Sequence, residues 1–539
     1  MICTNNTSVK ESVVLQPPPE AIIGSARAEM FIIGDIMGSA MQNLDQLLNM
    51  PSGCGEQNML GLSVDISVMN YLKKTNRLTS AIKTEGTSFL QSGYQTELIY
   101  KRSDCSFSAF GNSDAEGSLW LTAFVTSEFG KAQDFIFIDT NVIVCAIQWL
   151  SQHQLKSGCF KNSGKLFHTS MKGGVNDDIS LSAYVCYSLQ ELPNQTPTTI
   201  SIVNDSLNCL RNALSNVTNP YTMALLANVF RNPEDATHKN MLLDKLDKLA
   251  IKEAGMTHWK VPNSVGPVFI PQWYQSPSAE VELAGYVMLA YLSKPVLSTT
   301  DIGYVSSIAQ WMVKQQGPYG GFENTQDTVI GFAALAEYSA QILQGKPQAT
   351  VKIYKGSLVI TTLQVSDANK FVLQQTSVKD IPGNYTIQVT GKGCIFVRTN
   401  LRYNILPPKK ESTFSIDVAI DSVQCKPLSQ FRINTTVSYT GNRNATNMVL
   451  VEAKMLSGFS PAGDYVNELL VQPLVKRVEY DNQVLKIYLD GLSQGVTHTY
   501  SFPVSQDFVV GKQQPAFVKI YDYYKQDENA VTKYSSPCV

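Results

Sequence analysis

The sequence predicts a multidomain α + β protein, with one large helical domain flanked by smaller β regions. Three observations carry this. Between about residues 60 and 343 apolar residues recur at helical spacing, whereas near the start and after Gly345 they alternate or run β-branched. Within the helical part a pattern repeats: Gln148-Trp149-Leu150 precedes Gly158-Cys159-Phe160 by the same offset as Gln310-Trp311-Met312 precedes Gly320-Gly321-Phe322. A length of 539 residues, with 44% apolar and 16% charged side chains, is a globular composition. It holds two to four domains of roughly 100–200 residues each.

Taken in order, residues 1 to about 27 hold short β-like runs around Pro17-Pro18-Pro19, and Ala28-Glu29-Met30-Phe31-Ile32-Ile33 reads as a strand. From Asp35 the period changes. Ile36, Ala40, Leu44 and Leu48 recur every fourth residue, an amphipathic helix with Asp35 as its N-cap. Further helical signatures fall at 114–129, 135–150, 177–192, 221–230, 278–292 and 325–342. In each copy of the repeat an apolar helix follows, opened near Asp178 or Asp327. Repeated helix pairs of this form predict an α/α toroid, with hairpins closed into a ring around a shared core. Trp149 and Trp311 are then core fillers between hairpins rather than ligand contacts. After Gly345, strands at 351–354, 358–363, 385–389 and 395–397 make a small β domain. Pro407-Pro408 marks a linker. Strands at 431–439, 448–453, 484–489 and 516–521, with one short helix at 464–470, make a final β-sandwich.

The net charge of −2 argues against nucleic acid or an anionic membrane as partner. No apolar run approaches the roughly 20 residues of a membrane span. Ten cysteines and sequons at Asn5, Asn6, Asn194, Asn204, Asn216, Asn384, Asn434 and Asn444 point to a secreted, glycosylated, oxidised protein. Yet Met1-Ile2-Cys3 opens with neither a basic nor an apolar signal region. No CxxC pair or His/Cys cluster has zinc spacing, so no metal and no cofactor is expected.

Chemistry concentrates in Pro51-Ser52-Gly53-Cys54-Gly55-Glu56-Gln57-Asn58-Met59. Gly53 and Gly55 let the backbone fold back on itself, which brings the Cys54 sulfur against the Gln57 carboxamide. Attack of the sulfur on that carbon expels ammonia and leaves an internal thioester, a stored electrophile that is inert while dry. Met59 and nearby aromatics are expected to keep water away. Tyr521-Asp522-Tyr523-Tyr524 is read as ordinary strand packing rather than a cap on the site.

The seven-residue motif Gly-Cys-Gly-Glu-Gln-Asn-Met resembles the thioester signature of the alpha-macroglobulin and complement-component proteins, and the likeness runs through most of the chain. The resemblance implies an α/α-toroid thioester domain at 28–343 inserted in a small CUB-like β domain (1–27 and 344–406), with a receptor-binding-type β-sandwich at 407–539. Relatives of this kind continue far upstream, so the chain reads as the carboxyl-terminal part of a larger secreted protein, or an isoform begun at an internal Met. The resemblance also implies disulfides Cys3–Cys394, Cys159–Cys209 and Cys425–Cys538. Cys145 and Cys186, on apolar helical faces, are then expected as buried thiols, and Cys105 stays unassigned.

The function implied is an inhibitor of endopeptidases, serine-type and broad, that captures the protease covalently through Cys54 and Gln57. This is a trap rather than a turnover enzyme. The bait segment that triggers the family's trap is not within these residues, and a full-length form is expected to be a homo-oligomer. His168, five residues before Gly173-Gly174, stands where complement proteins carry a histidine that forms an acyl-imidazole; many alpha-macroglobulins have asparagine there. His168 therefore predicts a preference for hydroxyls or water over amines. The family's lipoprotein-receptor-type clearance partner is bound by two lysines on the last domain's short helix. Aligned from Met455-Leu456-Ser457-Gly458-Phe459, these positions fall on Gly463 and Asn467, so the pair is absent, with Lys476 and Arg477 just downstream. Other readings are a Cys54–His168 acyl-transfer enzyme, a complement-like opsonin, an α/α-toroid terpene cyclase, and a module that has lost its chemistry. The cyclase ranks last because no Asp-x-Asp-Asp motif is present.

Overall fold

The computed structural model describes residues 2–34, 36, 48–51, 53–74, 77–166, 174–175, 177–261, 279–316, 322, 325–342, 347–370, 372–405, 412–426, 428–523 and 525–538. The helix expected from Asp35, Gly320-Gly321 and the Pro407-Pro408 linker lie outside them.

The chain opens with strands β1 (Ile2–Leu15) and β2 (Arg27–Ile33). Then come helices α1 (Gly55–Lys74), α2 (Ser80–Ile99), α3 (Leu119–Ala132), α4 (Thr140–Gln152), α5 (Asp178–Gln190), α6 (Pro197–Ala213), α7 (Pro220–Val229) and α8 (Ala236–Leu249). A small hairpin, β3 (Ile251–Glu253) and β4 (Met256–His258), precedes α9 (Glu280–Leu292), α10 (Thr299–Gln315) and α11 (Thr325–Ile342). Helices α1, α3, α5, α7, α9 and α11 form the inner ring. Each packs on the next, and α11 packs back on α1 to close it. Helices α2, α4, α6, α8 and α10 lie outside, each against its inner neighbour. The sequence separates the two sets. An inner helix meets protein on every side, so it must be apolar all round; in α3 every residue but Lys131 is buried, and in α7 every residue is. The outer α4 instead carries a single buried stripe of Ile143, Ala146, Ile147, Trp149 and Leu150.

Helix starts follow from capping chemistry. The Ser118 hydroxyl accepts from Leu121 N–H, Asp177 and Ser180 cap each other reciprocally, and Pro220 sits in the first turn behind Asn219. The repeat has a structural counterpart. Phe160 N–H donates to Ser182 on α5 at 2.8 Å, and Phe322 N–H donates to Thr328 on α11 at 3.1 Å. Trp149 and Trp311 are buried on the outer helices, stacked on His153 and His258.

Strands β5 (Gln348–Lys355), β6 (Leu358–Ser366), β7 (Gln374–Val378) and β8 (Gly383–Arg402) complete a six-stranded antiparallel sheet with β1 and β2. The 20-residue β8 is its spine: the first part pairs with β1 and β5, the last with β2. The helical domain is thus inserted between β2 and β5 of one sheet. Residues 28–33, which the sequence reading assigns to the helical domain, belong to this sheet, with Ala28 opposite both Val378 and Leu401. Both faces of β2 are buried toward its end, so it reads as a continuous apolar run and conceals the boundary.

A second compact unit is built on residues 408–539. Strands β9 (Phe414–Gln424), β10 (Gln430–Tyr439), β11 (Val449–Lys454) and β12 (Phe459–Pro461) precede a short helix α12 (Tyr465–Leu470). Strands β13 (Val475–Asp481), β14 (Val484–Leu489), β15 (Thr497–Gln506), β16 (Ala516–Asp522) and β17 (Lys525–Tyr534) follow. They form two sheets, β12-β15-β10-β9 and β13-β14-β11-β16-β17. The inward positions, including Phe431, Ile433, Val451, Ile487, Phe502 and Ile520, make one core. Strict alternation along β10 is the mark of a strand buried on one face.

Disulfides join Cys3 to Cys394, opposite one another in the β1–β8 ladder, Cys159 to Cys209, and Cys425 to Cys538. A fourth joins Cys105 to Cys145. Cys145 is therefore not the buried thiol expected: it is half-buried, beside rather than within the apolar stripe of α4. Cys186 is unbridged and buried.

Candidate functional site

The site is the turn that opens α1. Gly53 has φ +93°, a left-handed conformation that disfavours any side chain, and its missing Cβ leaves room for the Gln57 carboxamide. A Cβ there would lie 2.0 Å from Gln57 Oε1 and 3.0 Å from Gln57 Cδ. The Gln57 side chain thus folds back across the turn, and its Oε1 accepts a hydrogen bond from Cys54 N–H at 3.1 Å. Gly55 is as tightly placed, since a Cβ there would meet the Ser108 carbonyl oxygen at 2.9 Å and Tyr100 Cβ at 3.0 Å. Tyr100 closes the far side by donating its hydroxyl to the Gly53 carbonyl at 2.7 Å.

Cys54 is wholly buried and unbridged. Burial, then the Glu56 charge, pushes its thiol far above the ordinary range. Backbone N–H groups of Gln57 and Glu56 pull the other way, so the sulfur sits over the helix N-terminus as a cap would. Burial wins. A sulfur that is so costly to ionise is a poor leaving group, which keeps any acyl bond to it inert while the site stays dry. Glu56, Asn58 and Met59 are also fully buried.

Behind the turn, Asn58 Nδ2 donates to the Gly93 carbonyl at 2.8 Å and to Glu97 Oε2 at 2.9 Å. Burial holds the Glu97 carboxyl well above the usual carboxylate range, against the Asn58 hydrogen bond. Gln57 Nε2 is buried with no hydrogen-bond partner among the described residues. Sequence reasoning found Cys54, Gln57 and Met59 but missed Glu97 and Tyr100. Both are on or beside α2, about forty residues on, and no local pattern marks them.

Inside the ring, Tyr221 donates to Glu282 Oε1 at 2.6 Å, and burial pushes the Glu282 carboxyl up to about 8. Gly174 lies against Tyr221, where a Cβ would meet the ring at 2.2 Å. His168 lies outside the described residues. Tyr521, in β16, donates to Glu452 at 3.1 Å, and Tyr524 is outside the described residues. Among the described residues no group of His, Cys, Asp or Glu is placed to hold a metal ion.

Of the sequon asparagines, Asn5, Asn6, Asn194, Asn204, Asn216, Asn384 and Asn444 are exposed. Asn434 is half-buried and donates to Asp421 at 2.7 Å. Gly463 precedes α12 with φ +59°, and Asn467 on α12 donates to Asp464 at 2.8 Å. Lys476 and Arg477 are paired within the sandwich, to Asp490 and Glu479.

Residues 30–338, more than half of the chain, match the family model described as the A-macroglobulin TED domain. Residues 444–535 match the A-macroglobulin receptor binding domain. Over 542 aligned residues the chain is 39% identical to ovostatin of Gallus gallus, an alignment that takes in all of this chain and 37% of that protein. The chain therefore spans little more than a third of the length of that curated relative. The helical ring, the Gly53-to-Gln57 turn at its head and the sandwich that follows agree with both matches: the chain belongs to the alpha-macroglobulin family.

Proposed function

We propose that Cys54 and Gln57 form an internal thioester, and that the chain is the carboxyl-terminal part of a longer, secreted endopeptidase inhibitor that captures serine-type and other proteases through that bond. The observation that carries this reading is the folded-back Gln57 carboxamide. Its oxygen is held by Cys54 N–H, while its nitrogen is a buried donor without a partner among the described residues. An unsatisfied buried donor costs about 1–3 kcal/mol, and expelling that nitrogen as ammonia removes the cost. The bond S–Cδ forms as the Cδ–Nε2 bond breaks, and the thiol proton leaves with the amine. Charge that develops on Oε1 meets the Cys54 N–H, the geometry of an oxyanion donor. Each acylation of a nucleophile consumes the bond once, so the chain acts as a trap and not as a turnover enzyme.

Labelled methylamine added to the native chain is expected to end in the peptide that holds Gln57, and in no other. Label spread over other glutamines, or absent, overturns the reading. Partners proposed with it are target proteases and, for the carboxyl-terminal sandwich, a lipoprotein-receptor-type clearance receptor, with the absent lysines at Gly463 and Asn467 counting against the second. Glycans at the exposed sequons and disulfides Cys3–Cys394, Cys159–Cys209 and Cys425–Cys538 suit an extracellular site of action.

A second reading concerns the nucleophile. His168 before Gly173-Gly174 favours a complement-like transfer, in which imidazole takes the acyl group and the freed thiolate activates a hydroxyl. His168→Asn is expected to shift adducts from glycerol toward methylamine by roughly 100-fold or more, from the lower end of the 10²–10⁴ range of general acid–base assistance. An unchanged glycerol-to-methylamine ratio would sink it.

A further inference from the structure

At one end of the six-stranded sheet three neighbouring strands place a cation side by side. Arg27 of β2 stands directly opposite Arg402 of β8. On the other side of β2, the last ladder pair is Ala28 with Val378, so Lys379 follows at the level of Arg27. Strand order β8-β2-β7 makes this one row, Arg402–Arg27–Lys379, about 10 Å long at the ~4.8 Å spacing of strands. All three side chains are exposed, while Ala28, Val378 and Leu401 turn to the sheet's core. The row faces outward.

Like charges directly opposite on neighbouring strands destabilise a sheet. One carboxylate, Glu29, shares the face with these three cations. Among the described residues none of the three cations makes an ion pair; Asp380 is paired with Lys355 at 2.7 Å, and Glu29 accepts from Gln375 Nε2 at 2.6 Å and keeps its charge, which leaves the row with a net positive balance of two. Arg27 Nη1 is anchored on the carbonyls of Gly24 and Ala26 at 2.8 and 2.7 Å, which fixes its guanidinium plane. The charges also share a concavity. A cleft of about 630 Å³ is lined by Arg27, Lys379 and Arg402 with Glu29, Tyr403 and Asn404. That volume falls in the ~300–1,000 Å³ range of small-ligand sites. On the same face of β8, Arg398 is held below the usual guanidinium range, first by burial and then by Arg402.

We propose that the Arg402–Arg27–Lys379 row and its cleft bind a sulfated polysaccharide, one sulfate-bearing segment lying across the three strands. A linear polyanion matches a linear row, and guanidinium forks suit tetrahedral oxyanions. Four disulfides place the chain in an oxidising compartment, where sulfated glycans rather than nucleic acids are the abundant polyanions.

The test uses the 539-residue chain and heparin as probe, by calorimetric titration at physiological ionic strength. The triple variant Arg27→Gln, Lys379→Gln, Arg402→Gln is expected to weaken binding by about tenfold or more and to flatten its salt dependence. A control with the same loss of charge on exposed lysines elsewhere, Lys10→Gln, Lys156→Gln, Lys248→Gln, is expected to bind as the native chain does. Equal weakening in both triples, or no heparin binding by the native chain, overturns the proposal. So does polyphosphate binding as tight as heparin, which would mean that only total charge is read. Should the triple variant unfold, Lys379→Gln alone, at an exposed position just beyond β7, carries the same comparison through the salt slope.

Discussion

Gly53→Ala is expected to leave the toroid folded and to cut methylamine incorporation at Gln57 by roughly 100-fold or more, in line with the ~10²-fold cost of a 1 Å misplacement. Two effects combine. A side chain at φ +93° strains the backbone by about 1–3 kcal/mol. More important, the new methyl would occupy a point 2.0 Å from Gln57 Oε1, so the carboxamide must swing away from Cys54. Gly255→Ala separates the two. Gly255 also has positive φ, +74°, but nothing lies within 4 Å of its missing Cβ. That variant should lose stability without losing amine incorporation. Mass spectrometry of the labelled peptide, with circular dichroism as a folding control, reads both. Normal labelling in Gly53→Ala would mean that the folded-back carboxamide is not the reacting geometry.

Stability is expected to fall as pH rises from about 5 to 8, and Asp65 on α1 is expected to be a main cause. Asp65 is wholly buried; Oδ1 accepts from Asn49 N–H at 3.2 Å, and Oδ2 has no hydrogen-bond partner among the described residues. Burial pushes its carboxyl up to about 8 from 3.8, against the Asn49 hydrogen bond. The folded state therefore holds a proton that the unfolded chain releases above pH 4. This contribution is complete below the unfolded value, shrinks as pH rises through the interval, and is spent once pH passes the folded value. At 1.36 kcal/mol per pH unit the change between pH 5 and 8 is on the order of 3–4 kcal/mol. Glu282, also near 8, adds to the same slope. Asp65→Asn keeps the acceptor for Asn49 and removes the titration, so its unfolding free energy should be flatter with pH and higher than wild type at pH 8. Denaturant unfolding at both pH values checks this. A slope in the variant equal to wild type would assign the pH dependence elsewhere.

How much of this was legible in the sequence depends on how far apart the participants lie. Cys54 and Gln57 sit within one turn, so their chemistry is written locally, and the two glycines flank it. The ring was legible because its repeat carries Trp149 and Trp311 at one offset and because inner helices are apolar throughout. Glu97, Tyr100 and Gly93 were not, because α2 meets the turn only through the packing of α1 against α2. The same holds for the Cys105–Cys145 bridge, set by which segment faces the flank of α4, and for the domain to which β2 belongs: it was legible as a strand, but its partners β7 and β8 lie beyond the whole helical ring.

One bond, between Cys54 and Gln57, carries the proposed chemistry, and intact mass tests it most directly. Native chain, freshly made and never exposed to amines, should weigh one ammonia less than its sequence, allowing for disulfides and glycans, and Cys54 should resist thiol reagents until methylamine is added. A native mass that includes the ammonia, with Cys54 reacting as a thiol as soon as the chain is unfolded without amine, would contradict it.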